Sequence, residues 1–171
     1  MRRHVVLGGL TIGAVMAFGN CSDNDAGPEI TNFTATLAKA PIGTPDTNST
    51  TATGSATLSV VGGTIVYRID VTGISNVTLA HIHGPMLTPG GSAGVIVNFC
   101  GTTQGGTPTT PPCANVSPLT GVLAAGVSSL TPGAGMTFDR LLTLLRTDSA
   151  YVNVHTSAHP GGEIRGTITA Q

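Results

Sequence analysis

The chain has 171 residues, about one domain's worth. Only 9% of them are charged, which is too few Glu and Lys for a coiled coil or long helical bundle, and a scattered formal charge of −1 leaves no electrostatic footprint for nucleic acid. The 24 glycines follow no period of three, so collagen is excluded, and the Thr-, Val- and Ile-rich remainder, punctuated by Gly and 11 Pro, points to an all-β protein.

The first element is an address. Met1-Arg2-Arg3-His4 precedes an apolar run from Val5 to Gly19, then Asn20-Cys21-Ser22. A basic start, a short apolar stretch and a small-residue exit describe a secretory signal peptide over residues 1–20, and the run is too short for a membrane span of about 20 residues. Cys21 stands where a bacterial lipoprotein signal places its lipid-bearing cysteine, and residues 21–30 form an acidic, polar tether. This predicts an exported protein held to the membrane of the bacterial cell envelope through an N-terminal lipid, periplasmic or surface-exposed. Loss of residues 1–20 leaves five basic against eight acidic residues, a mildly acidic mature chain.

The domain proper is expected over 31–169. Strands are predicted at Ile30–Ala38, Ala52–Val61, Thr64–Val71, Val77–His83 and Gly94–Cys100, each from period-two alternation bounded by turn residues. Gly62-Gly63 is a hairpin signal between the second and third. Gly101 to Pro118 reads as an extended loop. Cys100 and Cys113 flank its Gly-, Thr- and Pro-rich part, and an oxidising envelope would permit a disulfide between them. Thr137–Arg146 breaks the rhythm, with Phe138, Leu141, Leu142 and Leu145 at helical spacing and Thr137 as N-cap. Two strands, Ala150–Thr156 and Glu163–Thr169, close the chain around a His159-Pro160-Gly161-Gly162 turn. Seven short strands and one short helix make an antiparallel Greek-key β-sandwich.

Four of the five histidines fall in two segments, Ala80-His81-Ile82-His83-Gly84-Pro85 and Tyr151 to Gly166. On a strand, His81 and His83 project to one face while Ile82 faces the other layer. His155 alternates with Val152 and Val154, so it shares a face with Tyr151 and Asn153. If the strands are neighbours, His155 completes a three-histidine set, with His159 on the following turn as a possible fourth member. Neutral imidazoles bind copper or zinc, so this set is a candidate metal site. The competing reading is a hydrogen-bonded structural corner in which imidazoles anchor backbone carbonyls, with Glu163 and Arg165 in an ion-pair network with His155.

The sequence resembles the CHRD (chordin-type) domain family. The resemblance rests on His-Ile-His-Gly-Pro at 81–85, Gly-Val-Ile-Val at 94–97, and the long Tyr-Val-Asn-Val-His-Thr…Pro-Gly-Gly-Glu-Ile-Arg-Gly at 151–166. It implies an immunoglobulin-like sandwich similar in outline to the copper/zinc superoxide dismutase barrel. His159 stands where many members carry Asn or Gln. The bridging histidine and the zinc ligand cluster with an Asp that a dinuclear dismutase site needs are not found.

Gly90-Gly91-Ser92-Ala93-Gly94 has the Gly-X-Ser-X-Gly spacing but leads into the strand expected at 94–100 rather than a helix, so it is no nucleophile elbow. No phosphate-cradling Gly loop or His-Glu-X-X-His occurs, and acidic residues are too sparse for paired-carboxylate chemistry. The sequence therefore reads as a non-enzymatic binding or structural module of the cell envelope with an unidentified ligand. The alternative is a copper- or zinc-binding protein, redox-active through His81, His83 and His155.

Overall fold

In the computed structural model, residues 31–41, 48–61, 63–104, 107–108, 110–113, 119–124, 130 and 135–171 are described. The expected signal segment, Cys21 and the expected tether at 21–30 lie outside them, residue 31 being the first described. Among the described residues, eleven strands and one helix follow in chain order: β1 (Asn32–Lys39), β2 (Thr53–Val61), β3 (Thr64–Thr72), β4 (Val77–His83), β5 (Val95–Cys100), β6 (Thr103–Gln104), β7 (Thr107–Pro108), β8 (Leu119–Ala124), α1 (Phe138–Arg146), β9 (Tyr151–Thr156), β10 (Ile164–Thr167) and β11 (Thr169–Ala170).

The main sheet runs β5-β4-β9-β10-β1-β2-β3-β8, antiparallel, with β11 also on β1. Strand β1 belongs to both halves: Phe33 and Thr34 pair with β11, whereas Ala38 and Lys39 pair with β10. The sheet therefore curls around β1 into an antiparallel, sandwich-like half-barrel. Side-chain alternation fills its interior. Phe33, Ala35 and Leu37 of β1 meet Ala56 and Leu58 of β2, Ile65, Tyr67 and Ile69 of β3, Ala80 and Ile82 of β4, and Val152 and Val154 of β9. Burying one large apolar side chain stabilises by about 1.5–3 kcal/mol, so this contiguous core is the main driving term.

The helix forms where the leucine spacing predicts it. Thr137 is its N-cap, its hydroxyl accepting from Arg140 N at 3.2 Å, with Asp139 in the first turn and Arg146 in the last. Leu141, Leu142 and Leu145 are its buried stripe, and it packs against β11. Among the described residues no helix is long and apolar enough to cross a membrane.

Three features depart from the expected elements, the first being that the closing strand expected at Glu163–Thr169 is split into β10 and β11, which pair with β9 and β1 respectively. Strand β8 pairs with β3 from Thr64↔Ala124 to Ile69↔Leu119, although the sequence gives it no strong alternation. Inside the expected loop, β6 and β7 make a two-stranded ribbon. Cys100 and Cys113 close that loop as a disulfide with a sequence separation of 13. Gly101, directly after Cys100, has φ of +80°, and a Cβ there would collide with the Thr78 carbonyl, so only glycine lets the loop leave the sheet at that point. Loop closure of this length stabilises by about 3 kcal/mol in the chain-entropy picture. The Cys100→Ser/Cys113→Ser variant is therefore expected to lose about that much in urea titration. An unchanged midpoint and slope would show that the loop contributes nothing to the folded state.

Candidate metal centre

The half-sheet β5-β4-β9-β10 has its apolar face in the core, and its other face is polar yet buried. In register across it run Asn98, His81, Asn153 and Arg165 on four successive strands. Tyr151 and His155 flank Asn153 along β9, and His83 lies opposite Tyr151. Register shifts between β4 and β5 at Ala80/His81 and Ile82/His83 mark the bulged geometry that commonly re-aims side chains near functional sites.

Each histidine is tied to a different covering loop. His83 Nδ1–H donates to Ala93 O at 2.9 Å in the loop after β4, and His155 Nδ1–H donates to Pro160 O at 2.9 Å in the β9–β10 turn. His81 Nε2 lies 3.3 Å from Thr102 Oγ1 in the disulfide loop. The donor atoms of His81, His83 and His155 all lie within 4.8 Å of one another. His81 Nδ1 and His155 Nε2 are 3.2 Å apart.

Proton accounting shows what this arrangement lacks. A tautomer is fixed by the bond its other nitrogen makes. His83 and His155 spend their Nδ1 protons on carbonyls, so both Nε2 atoms are lone pairs. Thr102 has one hydroxyl proton. Given to Asn98 Oδ1 at 3.1 Å, it leaves Thr102 to accept from His81 Nε2–H, and His81 Nδ1 then also presents a lone pair. Three lone pairs converge. If the hydroxyl proton goes to His81 Nε2 instead, His81 Nδ1–H can donate to His155 Nε2, and His83 Nε2 still has no partner. Among the described residues, the only buried side-chain polar atoms without a hydrogen bond are His83 Nε2 and Asn153 Oδ1, and both lie on this face. Native interiors rarely tolerate such orphans.

Electrostatics keep the imidazoles neutral. Burial, reinforced by the neighbouring His155 and His83 charges, lowers the His81 pKa to about 4. Burial also lowers that of His83, opposed by its bond to Ala93 and helped by His155 and Arg165. His155 is lowered by burial and partly restored by its bond to Pro160. Neutral imidazole is the form that ligates metal.

Ring and loop contacts brace the surround. Tyr151 stacks on His83, centroids 4.9 Å apart and planes within 8°, and the Arg165 guanidinium covers the Tyr151 ring at 5.2 Å. The Tyr151 hydroxyl accepts from Ala93 N at 3.3 Å, so the loop that holds His83 is held in turn. Gly162 has φ of +118°, and a Cβ there would strike the Asn153 carboxamide. Gly162→Ala is therefore expected to cost about 1–3 kcal/mol, seen as a lower urea midpoint, because a strained φ and a displaced Asn153 add together. A variant as stable as the parent would mean that the turn is free to move away.

Two expected partners sit elsewhere. The His159 ring is not in the converging set. Its backbone serves the turn instead, N–H donating to Thr156 Oγ1 at 3.1 Å and O accepting from Gly162 N at 3.0 Å. Glu163 is buried but makes no ion pair with His155 or Arg165. Thr50 and Thr156 hydroxyls each donate to its carboxylate at 2.6 Å, and Arg165 reaches Gly90 O at 2.7 Å. The reason is the turn: Glu163 precedes β10 and faces the 48–52 segment, whereas Arg165 is already in the sheet. Asn48 clamps the same segment, its amide donating to Ala40 O and Glu163 O at 2.7 and 2.8 Å. Sequence reasoning passed over Thr102, Thr50 and Asn48, because each acts through contacts far along the chain.

No curated protein and no solved structure matches the chain. The family model described as the CHRD domain matches residues 33–168, which include every residue of the site. With most of its length covered, this chain belongs to the CHRD domain family.

Proposed function

We propose that this CHRD-domain protein is exported, anchored in the bacterial cell envelope by a lipid on Cys21, and works there as a binding module whose ligand is a transition-metal ion, copper or zinc. His81, His83 and His155 would hold it. The observation that carries this reading is the orphaned Nε2 of His83, buried beside the facing His81 Nδ1 and His155 Nε2. An all-imidazole set suits copper and zinc rather than calcium or magnesium, which prefer oxygen. The Nδ1–H bonds to Ala93 and Pro160 are the outer contacts that usually orient metal-ligating histidines. A bound ion would supply Lewis acidity, or one-electron chemistry in the case of copper. The protein's own part is to hold three lone pairs in place and keep them neutral.

Those same two bonds favour a second reading, a structural corner in which the histidines staple three loops to the sheet. Dialysis of the purified protein against Cu(II) or Zn(II), followed by metal analysis, separates the two. One ion per chain, lost in His83→Ala, supports the metal reading. No retained ion leaves the corner as a staple. For the anchor, mass spectrometry of the membrane fraction should find diacylglyceryl-modified Cys21, and a soluble protein with an unmodified N-terminus would overturn it.

A further inference from the structure

The second orphan, Asn153 Oδ1, has a place in this reading. Asn153 is 5% exposed and pairs with His81 on one side and Arg165 on the other, two residues from both Tyr151 and His155. It is thus the middle residue of the buried polar face. Its carboxamide is pressed against Gly162, so it cannot swing out to solvent through that turn. No described donor reaches it: the bond Arg165 makes through Nη2 goes to Gly90 O, and the His83 and His155 Nδ1 protons go to loop carbonyls. A buried acceptor fixed in such a place needs a proton that the described residues do not supply.

We propose that Asn153 Oδ1 accepts a hydrogen bond from a protic oxygen ligand, a water molecule, in the fourth position of an ion bound by His81, His83 and His155. This rests on the metal reading given above. An amide oxygen is a poor direct ligand for an ion that selects three imidazoles, but a good acceptor for water acidified by that ion. Three protein ligands with one exchangeable position is the pattern of an open metal site rather than a closed structural one. Asn153 then sets specificity. Ligands that carry a proton, such as water or hydroxide, satisfy Oδ1, whereas an aprotic anion such as azide would leave it orphaned.

The test uses Cu(II)-loaded protein, with azide followed by its charge-transfer absorption and solvent ligation by the broadening of copper EPR or ENDOR lines in ¹⁷O-enriched water. The parent should show a solvent-derived ligand and bind azide weakly. Asn153→Leu should lose about 10–100-fold in copper affinity and bind azide about 10-fold more tightly than the parent. Asn153→Asp keeps the acceptor, so copper affinity should be held or raised. Circular dichroism of the metal-free variants reports whether each folds. Should Asn153→Leu be unfolded, a parent-like ¹⁷O signal in Asn153→Asp still supports the proposal and its loss overturns it. Equal azide affinity in the parent and Asn153→Leu, or no solvent ligand in the parent, overturns the proposal while leaving the metal site standing. A parent that takes up no copper removes the metal reading and this one together.

Discussion

Saturating the protein with zinc or copper should raise its melting temperature by on the order of 10 °C, and His83→Ala should remove that rise. A ligand that binds only the folded state stabilises by RT ln(1 + [L]/Kd), about 4 kcal/mol at a thousandfold excess over Kd. For a domain of this size each kcal/mol moves the midpoint by a few degrees. The folded state presents His81, His83 and His155 within 4.8 Å, on strands that pair only when β4 and β9 are together. Unfolded, His155 is 74 residues from His81, and the three offer no shared focus. The metal-free variant should itself be weaker by about 2 kcal/mol, since His83→Ala loses one hydrogen bond to Ala93 and the stack on Tyr151, about 1 kcal/mol each. Scanning calorimetry with and without metal, on the parent and on His83→Ala, checks both statements. A parent whose midpoint ignores metal, or a variant that responds equally, would show that the three nitrogens do not act as one site.

Much of the half-sheet that carries the site was legible because period-two alternation is unambiguous when one face is apolar. Ile82, Val152 and Val154 point to the core, so His81, His83 and His155 had to share the opposite face once β4 and β9 paired. The helix was readable from Leu141, Leu142 and Leu145 for the same reason, with a period of 3.6 instead of two. Strand β8 was not, because its Leu119-Thr120-Gly121-Val122-Leu123-Ala124 sits among Gly, Ser and Pro with little contrast between faces, and its place is set by the exposed edge of β3.

The polar burial was hidden for a different reason. Alternation predicts that the face opposite the core meets solvent, yet His81, His83, Tyr151, Asn153 and His155 are all buried there. Three loops cover them, at Ala93, Thr102 and Pro160, and a loop's path over a sheet leaves no periodic trace in sequence. Glu163 shows the same limit. Its nearest charged neighbours in sequence suggested an ion pair, but Thr50, 113 residues away, takes one of its oxygens. Short-range spacing identifies which residues share a face. Which groups meet above that face depends on long-range closure.

That closure makes the metal-free protein sensitive to acid well above the carboxylate range. The His81 pKa falls from 6.5 to about 4 in the folded state, and those of His83 and His155 fall as well, all chiefly through burial. Between those limits the unfolded chain binds more protons than the folded one, so stability drops as pH falls. Each excess proton contributes about 1.4 kcal/mol per pH unit. For His81 the loss begins as pH falls through about 6.5 and is complete near 4; below that both states are protonated and the term no longer changes. Urea titrations of the chelator-treated protein at pH 7.5, 6, 5 and 4.5 should therefore show a falling midpoint. His81→Leu should flatten the slope, because a side chain that cannot take up a proton no longer links folding to pH. Metal-loaded protein should hold its midpoint to lower pH, since protons must then displace the ion from the same lone pairs. A midpoint that stays level from pH 7.5 to 5 without metal would show that the imidazoles titrate normally, and that the covering loops admit water to them.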